Sequence, residues 1–143
     1  MFKNILICSF VPENNKHVFE NAIEIAKKFD SNIVSLKCIH EELPTFALFH
    51  TKSEKKKKEQ LTKKIQIAFD ETEKIAKLHN ISIKTESVFV ESLSEHVSTF
   101  VNKNEFDLFI PDFTPPSDIT LHEHKDIVNK IYKNIDCPIL TLK

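Results

Sequence analysis

The amino-acid sequence predicts an α/β fold, a doubly wound five-stranded parallel sheet in the order 3-2-1-4-5 with helices on both faces. The first ground for this is alternation: short apolar runs of strand length are separated along the chain by segments whose apolar residues recur at the helical period. The second is the character of the runs Ile5-Leu6-Ile7-Cys8 and Leu108-Phe109-Ile110, which carry no polar alternation, as expected of strands covered on both faces. The third is size and composition. At 143 residues, 41% apolar and 29% charged, the chain suits one globular domain, 1–143.

The elements follow in order. After the first strand, closed by Pro12, Asn14 or Asn15 can cap a helix whose apolar positions Val18, Phe19, Ala22, Ile23, Ala26 and Phe29 share one face. The turn Asp30-Ser31-Asn32, with no glycine to ease it, leads into a second strand from Ile33 to Ile39. An irregular connection, 40–52, contains Pro44, Phe46, Leu48 and Phe49 and is read either as a packed loop or as a ligand lid or partner surface. A long helix is predicted from Ser53 to His79, with Leu61, Ile65, Ala68, Thr72, Ile75 and Ala76 inward. Polar and apolar residues nearly alternate from Ile81 to Val90, which reads as a less covered strand at a sheet edge. Ser92, with Glu95 three residues on, has the pattern of a capping box for a helix with Val97, Phe100 and Val101 inward. The fourth strand runs from Phe106 to Pro111. The last helix ends near Asn134, and Pro138 to Leu142 is the expected fifth strand.

Composition excludes several functions. The chain contains no glycine, so a phosphate-cradling glycine loop and the nucleophile elbow of α/β-hydrolases are both absent. All 20 basic residues are lysine; without arginine's planar fork, sequence-specific reading of bases loses its commonest tool, and a net charge of −1 supplies no overall attraction. The segment Lys52 to Lys64 carries seven lysines against two glutamates, +5, and is read as a solvated helix beginning, because no aromatic residues interleave with the lysines. Neither a nucleic acid nor a membrane is therefore an expected partner. Cys8, Cys38 and Cys137 are expected to be reduced thiols. No metal site is expected: the histidines of His122-Glu123-His124 point to different sides of a helix, and His40-Glu41-Glu42 lacks a third ligand group. No run reaches the length of a spanning helix and no signal-peptide pattern opens the chain, so a cytoplasmic location is expected.

The order of elements, the opening Asn4-Ile5-Leu6-Ile7-Cys8 and the ending Cys137-Pro138-Ile139-Leu140-Thr141-Leu142-Lys143 resemble the universal stress protein family over the whole chain. The resemblance implies the strand order given above, with a topological switch point between strands 1 and 4. One branch of that family binds ATP through a glycine, a second glycine three positions on, and a third that precedes serine or threonine. The matching positions here are Asp112, Pro115, Lys125 and Asp126, so the spacing survives with every signature residue replaced. Proline removes a backbone donor and Asp112 would set a carboxylate against a polyanion. The family's adenine-contacting aspartate matches Phe10. Asp126 is read as the N-cap of the last helix, with a ligand contact as the alternative.

The resemblance therefore implies a non-catalytic domain with a stress-response or regulatory role, without ATP and with no cofactor. The short, apolar terminal strand Pro138-Ile139-Leu140-Thr141-Leu142 would leave open backbone groups at a sheet edge, and in the family that strand commonly forms a homodimer. The alternative is a small-ligand or nucleotide receptor using the switch-point crevice, lined by Phe10, His40, Asp112 and Lys125. An enzyme related to adenine-nucleotide α-hydrolases is a third class, for which the chain offers no catalytic residue.

Overall fold

The structure is a computed structural model that describes residues 1–41 and 52–142. Four strands, β1 (Asn4–Ser9), β2 (Asn32–His40), β3 (Ile83–Val90) and β4 (Leu108–Asp112), alternate with four helices, α1 (Lys16–Phe29), α2 (Lys52–Leu78), α3 (Leu93–Lys103) and α4 (Leu121–Asn134). All strand pairs are parallel, in the order β3-β2-β1-β4, with Ile7 opposite Ser35 on one side and Ile110 on the other. The apolar connection at Pro44, Phe46, Leu48 and Phe49 lies outside the described residues. Among those described, no helix is long and apolar enough to cross a membrane.

Strand alternation sorts the core into two layers. Ile5, Ile7, Ile33, Leu108 and Ile110 face α1, which contributes Val18, Phe19, Ala22, Ile23 and Ala26. On the other face Leu6, Cys8, Phe10, Leu36, Cys38 and Phe109 meet Leu93, Val97 and Val101 of α3 and Ile131 of α4. Helix α2 lies over the far end of β2, where Ile65 and Phe69 pack with Ile39. The predicted inward stripe of α2 held at Ile65, Ala68, Thr72 and Ala76, and Phe69 joins it.

Helix starts follow capping chemistry. The Asn15 side chain accepts from the Val18 N–H at 3.3 Å, and Ser92 accepts from Glu95. For α4 the cap is Thr120, whose Oγ1 accepts from Glu123 N at 3.1 Å. This corrects the sequence expectation for Asp126, which lies six residues beyond Thr120 inside the helix and pairs with Lys130 at 3.1 Å. Without glycine, the left-handed positions that follow helices fall to Asp30 (φ 52°), Asn80 (φ 55°) and Glu105 (φ 54°), of which the first two are residue types that tolerate this region.

The expectation of five strands is also corrected. The C-terminal segment makes one parallel bridge, Phe109 to Ile139, rather than a strand. Phe109 N–H donates to Pro138 O and Leu140 N–H to Phe109 O, both at 2.9 Å. Extending that ladder needs an N–H on Pro111 in one direction and on Pro138 in the other, and proline has none. Two prolines thus hold the pairing to a single bridge.

Candidate functional site

The C-terminal ends of β1, β2 and β4 converge where the strand order reverses, the place an open parallel sheet offers a ligand. On the α4 side this end is filled by rings. Phe10, directly after β1, is 2% exposed. Its ring centroid lies 6.1 Å from that of Phe113 and 6.5 Å from that of His124, the latter pair edge-to-face, and Phe113 in turn meets Tyr132 at 5.7 Å. His124 is therefore part of this plug, not of a solvated helix start, while its neighbour His122 is exposed. His124 Nδ1 is buried without a hydrogen-bond partner.

On the α1 side the same strand ends carry a polar cluster. Asp112, the last residue of β4, is 5% exposed. Its Oδ1 accepts from Thr114 N at 3.2 Å and Thr114 Oγ1 at 2.7 Å, closing a turn of the aspartate type, and from Asn15 Nδ2 at 3.4 Å. Its Oδ2 is buried and has no partner. Lys37 of β2 is 2% exposed, with its Nζ donating to Ser9 Oγ at 3.2 Å and Glu13 O at 3.4 Å, and 5.9 Å above the Phe69 ring. Burial pulls the Lys37 ammonium down from 10.5 to about 8, and Asp112 offsets part of that fall. Between Lys37, Asp112, Ser9, Ser35, Asn14 and Asn15 lies a cavity of about 20 Å³. That volume suits one water molecule and is far below the several hundred Å³ of a nucleotide site.

The four residues predicted to line one crevice are not brought together. Phe10 belongs to the aromatic plug and Asp112 to the polar cluster on the opposite face. His40 Nδ1 pairs with Asp118 Oδ2 at 3.3 Å, and Lys125 stands exposed on the outer side of α4. Of the replaced signature positions, Pro115 is exposed in the loop after β4 and Asp126 is bound to Lys130. Sequence reasoning missed Lys37 altogether. The signal was there: a lysine inside the run from Ile33 to Ile39, two residues from the run's other polar residue, Ser35, and so on the same strand face.

The cysteines are poor nucleophiles. Burial pushes Cys8 well above its ordinary value and Cys38 up to about 12, and it also raises Cys137; all three are free thiols. Among the described residues no group of three histidine, cysteine or carboxylate side chains could hold a metal ion.

No protein-family profile and no curated protein matches the chain. Solved structures do. A universal stress protein family member from Burkholderia pseudomallei superposes with a TM-score of 0.71 at 12% identity, over 99% of this chain and 96% of that one. The universal stress protein UspA of Lactobacillus plantarum gives 0.70 at 15% identity, over 99% and 98%. A family protein from Arabidopsis thaliana, solved with AMP bound, gives 0.61 at 10% identity, over 99% and 91%. At such identities the likeness is one of architecture, and along its whole length this chain has the universal stress protein fold.

Proposed function

We propose that the chain is a universal stress protein family member of the branch without a nucleotide signature, acting as a non-catalytic, cytoplasmic homodimer in a stress-response or regulatory role. The observation that carries this reading is the plug at the switch point. Phe10 stands where the family's adenine-contacting aspartate is expected, and it packs there with Phe113 and His124. Asp112 and Pro115 supply a carboxylate and a missing N–H where phosphate would need bare backbone donors.

The dimer rests on the C-terminal segment. Because the Leu140 N–H turns toward β4, alternation turns the N–H groups of Ile139 and Thr141 outward, leaving an edge for a second copy to pair with. Native mass spectrometry of the protein purified from its own host tests both parts. The expected species is twice the chain mass with no nucleotide increment, and Leu140→Lys shifts it to the single-chain mass. A retained adenine nucleotide sinks the first part, and a dimer that survives Leu140→Lys sinks the second.

A second reading, a small-ligand receptor, draws support from the AMP-bound Arabidopsis protein and from the unpartnered Oδ2 of Asp112. The 20 Å³ cavity limits such a ligand to something the size of water unless the α1 face opens.

A further inference from the structure

Helix α2 begins well outside the body of the protein. Residues 52–60 are all exposed, about 14 Å of helix, and burial starts only with Leu61 and Ile65, which pack against Ile39 and Phe69. Into this overhang and the turn after it the chain puts Lys52, Lys55, Lys56, Lys57 and Lys63, none with a polar partner among the described residues. Lys58 and Lys64 differ, being tied back to Glu41 at 3.1 Å and Glu13 at 3.9 Å. At about 100° per residue the five free lysines cover an arc of about 200°, centred opposite the buried stripe that runs from Ile65 to Ala76.

Local energetics oppose this arrangement. The positive end of the helix macrodipole meets a concentration of ammonium groups that also repel one another, whereas the last turn, where cations are favoured, holds only Lys77. A partner bringing negative charge removes both penalties. The shape of the charge selects among partners. The free lysines share their arc with no apolar side chain between residues 52 and 64, since Leu61 points inward, so the helix has nothing to insert into a lipid interface. A lysine arc wider than a half-circle on a rod 10–12 Å across instead matches a groove about 12 Å wide, walled by phosphates on both sides. The remaining charge also orients the approach: a net of −1 with +5 in residues 52–64 leaves −6 elsewhere, so the lysine tip leads toward a polyanion.

We propose that the lysine-rich overhang of α2 docks on the phosphate backbone of double-stranded nucleic acid without sequence preference. The sequence expectation was that no nucleic acid is a partner, and the proposal departs from it. Missing arginine removes the commonest tool of base reading and missing interleaved aromatics argue against single-strand stacking, and backbone docking needs neither.

The test is fluorescence anisotropy of the full chain with labelled DNA duplexes of two unrelated mixed sequences, each about two helical turns long. The expected result is equal binding to both at about 50 mM salt, with log K falling against log salt at a slope of about −4.5, one phosphate per free lysine. In Lys55→Gln/Lys56→Gln/Lys57→Gln the slope should fall to about −1.8 and affinity at about 50 mM salt should drop at least tenfold. Glutamine keeps helix propensity, and circular dichroism should show a thermal midpoint unchanged or raised, because charges opposed by the dipole are gone. No binding at low salt, a triple variant that binds as well as the wild type, or a preference between the duplexes would overturn the proposal. So would retention on phosphatidylserine vesicles with the duplexes left unbound.

Discussion

Phe109→Ala is expected to cost about 3–5 kcal/mol of folding stability. Phe109 is fully buried at the centre of β4, with its backbone bonded to the C-terminal segment and its ring packed in the layer formed by α3 and α4. Losing the ring forfeits its transfer free energy and leaves a cavity between β1, α3 and α4, because a sheet hydrogen-bonded on both sides cannot close in. A domain of this size is stable by about 5–15 kcal/mol in total, so the variant is left marginal. Phe109→Leu, which keeps most of the volume, should cost less than about 1.5 kcal/mol. Urea unfolding followed by circular dichroism gives both numbers. A loss below about 1 kcal/mol for alanine would mean that β4 is not the centre of the α4-side core.

The second large effect is a pH dependence carried by Lys37. Its folded value of about 8 lies below the ordinary 10.5, with burial as the leading cause. Between those two pH values the unfolded chain holds a proton on Lys37 that the folded chain has released, so stability rises with pH across that window. Below pH 8 both states are protonated and the full cost of burying the ammonium is present. The relief amounts to an effect on the order of 3 kcal/mol. Cys8 and Cys38 act in the opposite direction, because their raised values make the folded state hold protons that the unfolded thiols lose above about pH 9. The comparison that isolates Lys37 is therefore wild type against Lys37→Met, in which the Cys38 contribution cancels and that of Cys8 changes only through its charge coupling to Lys37. Wild-type stability should climb relative to the variant from pH 8 to pH 10.5, and parallel curves would show that Lys37 is not a buried cation.

The contrast between what the sequence disclosed and what it hid has physical causes. Strand–helix alternation and helix faces were legible because burial imposes a period: the inward positions of α1 read from Val18 to Ala26 are the ones buried. The edge position of β3 was legible from its polar alternation, and its observed pattern mixes half-buried with exposed residues and buries none fully. The fifth strand misled because apolar character predicts packing beside β4, which Ile139 achieves while partly buried, whereas strand length depends on donors that Pro111 and Pro138 lack. Asp126 misled for a related reason. Aspartate suits a cap, but Thr120 stands just ahead of the first helical turn and Asp126 falls within the helix. At the site, the composition argument against a glycine cradle rested on chemistry alone and needed no geometry. Which side chains meet across the sheet depends on strand register, so the pairing of Phe10 with His124, and of Lys37 with Ser9, became visible only in three dimensions.

Calorimetric titration of the purified chain with ATP and magnesium addresses the filled switch point most directly. The plug of Phe10, Phe113 and His124 predicts no saturable heat up to millimolar nucleotide. One-to-one binding with a micromolar dissociation constant would contradict it.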